Sequence, residues 1–149
     1  RQEPSDINVG ECRDPETMAA TIQAIISGHR TMTSVHTNDP AATVRRVVSL
    51  CPATDRASLA IALVDNLKLI VNQRLPRSTD GRRTAIRSFL PFNRKIREAL
   101  LDAPQSRWPN MVRGFVEEHG QTFEQSIKDV HAQGRISDEI AGRAMKELH

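Results

Sequence analysis

The stretch from Asp6 to Asp39, DINVGECRDPETMAATIQAIISGHRTMTSVHTND, constrains the fold most, because it holds two short strand-like runs with one helix between them. The first run, Ile7 to Val9, gives way at once to Gly10-Glu11-Cys12-Arg13-Asp14; the second, Thr31 to Val35, gives way to His36-Thr37-Asn38-Asp39. Between them, Asp14 reads as a helix N-cap with Pro15 at the first helical position and Glu16 in the first turn. Met18, Ile22 and Ile25 then recur at helical spacing, and Gly28 can end the helix in a left-handed conformation. The second run is β-branched at Thr31, Thr33 and Val35, which suits a strand. In an open parallel sheet, ligands sit in the crevice outside the carboxyl ends of the strands. A carboxylate after one strand and an imidazole after the next can therefore converge on one ligand, which makes Glu11 and His36 the candidate functional pair.

The boxes Ile7-Asn8-Val9-Gly10-Glu11-Cys12-Arg13-Asp14-Pro15-Glu16-Thr17, then Gly28-His29, then His36-Thr37-Asn38-Asp39, resemble the Walker B and histidine boxes of the secretion ATPases. These are the hexameric motors of type II and type IV secretion, pilus dynamics and conjugation. The resemblance implies an α/β fold: the carboxyl-terminal part of a RecA-like P-loop ATPase core, followed by a small all-helical bundle. It implies ATP and Mg2+ as cofactors, with Glu11 at the position that holds magnesium through a water. His36 and His29 fall at positions that contact or sense the γ-phosphate, and Arg13 is a further candidate for the nucleotide. His29 has a second reading, as a histidine that interacts with the dipole of the helix before it. Arg13 and Asp14 have one too, as a structural cap and its salt-bridge partner. Asn8 and Arg30 stand where the family usually carries aliphatic residues.

The same family needs a G-x-x-x-x-G-K-[ST] loop whose backbone N–H groups and lysine cradle the phosphates. None of the four lysines, Lys68, Lys95, Lys128 and Lys146, follows a glycine. The sequence opens on Arg1 just ahead of a strand, so it reads as the carboxyl-terminal part of a longer protein with the P-loop upstream. On that reading the 149 residues alone should be inactive. The resemblance further implies a homo-oligomer, a hexameric ring, that works with inner-membrane secretion or pilus machinery. The ring would lie in the cytoplasm, peripheral at the inner membrane through its partners. An alternative is a non-catalytic oligomerisation or interaction module derived from such an ATPase.

The rest of the chain continues the pattern. Asp39-Pro40 repeats the cap-plus-proline start, with Val44, Val47 and Val48 as the apolar face of a second helix. From Thr54, Leu59, Leu63, Leu67 and Ile70 recur every three or four residues and predict one long helix. Extended runs, 73–77 and 82–91, flank Ser78-Thr79-Asp80-Gly81, and Asp-Gly between such runs signals a hairpin, read here as an antiparallel pair at the sheet edge. From Asn93 the sequence reads as helix. Asn93 caps Ile96, Leu100 and Leu101, and Trp108, Met111, Phe115 and Val116 share a face. Thr122 with Gln125 forms a capping box, and Ser137 starts a last helix carrying Ile140, Ala144 and Leu148. The expected division is 1–92, partial ATPase core, and 93–149, helical domain. Arg94-Lys95-Ile96-Arg97-Glu98 is similar to a segment of the pilus-retraction branch. Phe89-Leu90-Pro91-Phe92-Asn93 and Trp108-Pro109 look most like type IVB (Dot/Icm-like) secretion ATPases.

Charge and cysteine content exclude some classes. Net charge is +3 with 21 basic residues, 17 of them arginine, but they are scattered and no basic face is studded with aromatics, so direct nucleic-acid binding is not expected. Cys12 and Cys51 are too few for a disulfide framework and lack metal-ligand spacing, which fits a reducing compartment. No apolar run approaches the ~20 residues that span a membrane. His119, His131 and His149 are expected to face solvent, and Cys12 to be packed.

Overall fold

The computed structural model describes residues 5–148, so His149 lies outside the described residues. The chain begins with β1 (Asp6–Val9), α1 (Pro15–Ile26) and β2 (Arg30–Thr33). β1 and β2 pair in parallel, with Asp6 opposite Arg30 and Val9 opposite Thr33. Asp14 caps α1 by accepting the Thr17 N–H at 2.8 Å, and Gly28 leaves the helix at φ 91°, a conformation only glycine adopts freely. Asn8 and Arg30 are exposed, with Arg30 paired to Asp6 at 2.8 Å, so their polarity costs no core packing. β2 stops at Thr33, short of the expected Val35, which packs instead against a core cluster.

α2 (Pro40–Leu50) starts as expected, with Asp39 accepting the Ala42 N–H at 2.8 Å. α3 (Arg56–Asn66) does not extend to Ile70. The Asn66 amide bonds back to the Ala62 carbonyl at 2.9 Å, Leu67 is already extended at ψ 130°, and Ile70 falls on the inward side of β3 (Leu69–Arg74). All four apolar side chains still reach the core, which is why helical spacing alone misplaced the boundary.

β3 pairs antiparallel with β4 (Ile86–Pro91), from Leu69 opposite Pro91 to Arg74 opposite Ile86. The hairpin is therefore real and Gly81 takes φ 80°. Its placement needs correction: among the described residues it is a separate two-stranded sheet, not an edge of the β1–β2 sheet.

The helices that follow are α4 (Arg94–Leu101), α5 (Trp108–His119) after a 3₁₀ turn (Gln105–Arg107), α6 (Phe123–Ala132) and α7 (Asp138–Lys146). Asn93 and Ser137 cap α4 and α7, and the Thr122–Gln125 capping box is complete. The central core draws Ala41, Val44, Ala60, Val64 and Ile70 together with Phe92, Ile96, Leu100, Trp108, Val112 and Val116, so side chains from both sides of Phe92 share it. The Trp108 indole N–H donates to the Leu100 carbonyl at 2.6 Å and so needs no water. A second cluster, Cys12, Met18, Ile22, Leu50, Cys51 and Leu63, underlies the loops after β1 and β2. Both cysteines are free and buried.

Candidate functional site

Parallel pairing of β1 and β2 sends the chain out of the same end of the sheet twice, and Glu11 and His36 meet there. Glu11 Oε1 lies 2.8 Å from His36 Nε2, and Oε2 lies 2.6 Å from Arg13 Nη2. The two loops are tied through their backbones as well: the Cys12 N–H donates to the Ser34 carbonyl at 2.9 Å, and the Ser34 hydroxyl donates to the Gly10 carbonyl at 2.6 Å. The Thr33 hydroxyl reaches Cys12 Sγ at 3.3 Å. Ser34 carries no signal in the sequence beyond its place between the strand and His36, and its contribution was not foreseen.

The carboxylate sits low in the site while its partners stand out in solvent, with side-chain exposures of 21% for Glu11, 75% for Arg13 and 87% for His36. The Arg13 hydrogen bond, with the charges of Arg13 and His36, holds the Glu11 carboxyl below its ordinary range against the opposing effect of burial. Arg13 is correspondingly held above its own. Asp14 is also lowered, chiefly by the Thr17 backbone N–H it caps. Asp14 is thus the cap, as expected, while the salt-bridge partner of Arg13 is Glu11 and not Asp14. Glu11 Oε1 is itself shut from solvent and faces His36 Nε2 at 2.8 Å without the alignment of a hydrogen bond.

His29 is elsewhere. It precedes β2 whereas His36 follows it, and the four residues of the strand alone separate the two by about 13 Å. Its Nδ1 lies 3.2 Å from the Ala24 carbonyl and 3.1 Å from the Ser27 hydroxyl, at the carboxyl end of α1. Within this chain it does not join Glu11 and His36.

Among the described residues, no group of three or more His, Cys, Asp or Glu side chains converges as a metal cage. A magnesium ion does not require one: it keeps several waters and takes one or two carboxylates plus phosphate oxygens. Glu11, whose carboxyl Arg13 holds below its ordinary range, fits that demand, with the oxygen that faces His36 as the one it would share. His119 and His131 are exposed, with His131 2.6 Å from Asp138, and neither belongs to the site. No helix among the described residues is long and apolar enough to cross a membrane.

A family model described as "Type II/IV secretion system protein" matches residues 1–88. Over 144 residues the chain is 31% identical to a twitching motility protein of Neisseria gonorrhoeae, covering 96% of this chain and 38% of that one. It is 29% identical over 146 residues to the type IV pilus retraction ATPase PilT of Pseudomonas aeruginosa, covering 98% and 42%. Among solved structures it superposes on the ATPase DotB of Legionella pneumophila with a TM-score of 0.93 and 32% identity, over 97% of this chain and 39% of that one. On the pilus retraction motor PilT with bound ADP the TM-score is 0.79 and the identity 30%, over 95% and 39%. The chain thus spans about two fifths of the length of the relatives it matches.

Proposed function

The chain belongs to the type II/IV secretion system protein family, and from that premise we propose that it is part of an ATP-hydrolysing motor whose nucleotide site includes Glu11 and His36. The observation that carries the reading is the meeting of the two at the carboxyl ends of adjacent parallel strands, 2.8 Å apart. Bound ATP with magnesium supplies an electrophilic γ-phosphate and much of the charge neutralisation that phosphoryl transfer needs. Glu11, whose carboxyl Arg13 holds below its ordinary range, would hold the magnesium ion through a water. His36 reaches the γ-phosphate from its exposed loop, so that loss of the phosphate removes a contact from that loop. Arg13 keeps Glu11 charged in the resting site and is a further candidate contact for the nucleotide. His29, at the other end of β2, serves the site only from outside this chain's own cluster, as across a subunit boundary.

The phosphate-cradling loop and its lysine come, on this reading, from chain beyond these 149 residues, with 1–92 as part of the ATPase core and 93–149 as the helical domain. The assembly is a homo-oligomeric ring, hexameric in form, in the cytoplasm. It docks peripherally on inner-membrane machinery for type IV secretion, conjugation or pilus dynamics, without direct nucleic-acid contact. The test is Glu11→Gln in the protein as its cells make it. Turnover should fall about a hundredfold or more, the usual worth of a positioned acid–base group. Unchanged turnover would sink the assignment. The 149 residues alone should hydrolyse ATP negligibly.

A further inference from the structure

β3 points Ile70 and Asn72 inward, and Asn72 is 7% exposed. Asparagine is a poor strand former, and a buried amide costs stability unless it is bonded. Its partners lie far off in sequence, on the loop that carries His36 and on α2. Asn72 Nδ2 lies 3.2 Å from both the carbonyl and the hydroxyl of Thr37. The Thr37 hydroxyl is 2.7 Å from that of Thr43, which in turn lies 2.9 Å from the Asp39 carbonyl and 3.3 Å from Asn72 Oδ1. Because the Thr37 carbonyl can only accept, the amide orientation is fixed. The directions then follow: Asn72 donates to the Thr37 carbonyl and hydroxyl, the Thr37 hydroxyl donates to Thr43, and the single Thr43 proton is shared between the Asp39 carbonyl and Asn72 Oδ1.

Thr37 is the residue after His36, and Asn72 grips it at two points, backbone and side chain. The His36 ring is largely solvent-exposed, so its place opposite Glu11 depends on the backbone beneath it. We infer that Asn72 is a positioning residue for the nucleotide site: through Thr37, with Thr43 completing the network, it holds the His36 loop in the register that brings the imidazole to Glu11. This rests on reading Glu11 and His36 as that site.

The experiment compares Asn72→Ala, Thr43→Val and Thr43→Ser in the protein as its cells make it. Amide hydrogen exchange and ATP kinetics are read in parallel. In Asn72→Ala, exchange of the Ala42 and Thr43 amides, both bonded to Asp39 at the end of the His36 loop, should rise about tenfold, the worth of one or two lost hydrogen bonds, with α6 and α7 unchanged. The kcat for ATP should fall about tenfold with KM within about twofold, as for a group aligned for the chemical step. Thr43→Val, which keeps the volume but loses the hydroxyl, should act in the same direction, and Thr43→Ser should stay like the parent. Parent-like exchange and kcat in a folded Asn72→Ala, or exchange raised equally in α6 and α7, would overturn the inference. If Asn72→Ala does not fold, the Thr43→Val and Thr43→Ser pair decides by the same criteria. If the parent itself hydrolyses no ATP, the functional reading falls while the exchange measurements still decide the role of Asn72.

Discussion

Gly120 offers a sharp test of how the helices are joined to the hairpin. It follows α5, and a methyl group placed there would meet the Phe89 carbonyl oxygen at 2.1 Å and the Val116 carbonyl oxygen at 3.2 Å. Both are backbone atoms, so no flexible side chain can yield. The first belongs to a bridge in which the Phe89 N–H donates to the Gln121 carbonyl at 2.9 Å and the Gln121 N–H to the Phe89 carbonyl at 3.0 Å. Gly120 has a negative φ, −122°, so no left-handed strain adds to the cost of Gly120→Ala, which is chiefly steric. Relieving the overlap means parting the bridge, roughly 1 kcal/mol for each of two hydrogen bonds, with a further ~1–2 kcal/mol for the displaced packing. A loss of about 3–4 kcal/mol lowers the melting temperature of a domain this size by roughly 6–16 °C. Gly28 is the control. Nothing lies within 4 Å of its added methyl but φ is +91°, so Gly28→Ala should cost only about 1–2 kcal/mol of backbone strain. Thermal unfolding followed by far-ultraviolet circular dichroism distinguishes the two. A Gly120→Ala midpoint within about 2 °C of the parent, or equal to that of Gly28→Ala, would refute the steric argument.

Two further outcomes follow from the caps and charges. Asp39→Ala removes the side chain that accepts the Ala42 N–H at 2.8 Å and should cost about 1 kcal/mol, read as a lower urea midpoint at unchanged slope; an unchanged midpoint would deny the cap its role. Glu11 has its carboxyl lowered by Arg13, so its ionised form adds stability above the unfolded value that is lost as pH falls through the folded one. Glu11→Gln should therefore be less stable than the parent at pH 7, with the gap closing as pH falls below the ordinary glutamate range; a gap that widens in acid would contradict the pairing.

Helix starts were legible because a cap acts over three residues. Asp14, Asp39, Asn93, Thr122 and Ser137 each bond within their own first turn, and the residues that make the bond sit side by side in the sequence. The end of α3 was not. Leu59, Leu63, Leu67 and Ile70 are all in or against the core, and an apolar residue at such a spacing satisfies an inward helix face and an inward strand position equally well. The same limit hid the separation of the hairpin from the β1–β2 sheet, since Asp80-Gly81 specifies a turn and says nothing about which sheet its strands join.

At the site the contrast sharpens. Glu11 and His36 could be paired from the sequence because each follows a strand, and parallel strands send both to one end. Arg13 could not be assigned by the same logic: it neighbours Asp14 and Glu11 about equally along the chain, and only the structure, with Asp14 engaged in capping α1, leaves Glu11 as its partner. Asn72 was further out of reach, since its partners lie 35 and 29 residues away. Once β3 is placed the residue stands out as an inconsistency, an asparagine on the inward row that Ile70 begins. A polar residue kept where local preference and burial both oppose it marks a position where something other than folding sets the choice. On the inference drawn above, that something is the loop bearing His36, which Asn72 holds from the inward row of β3.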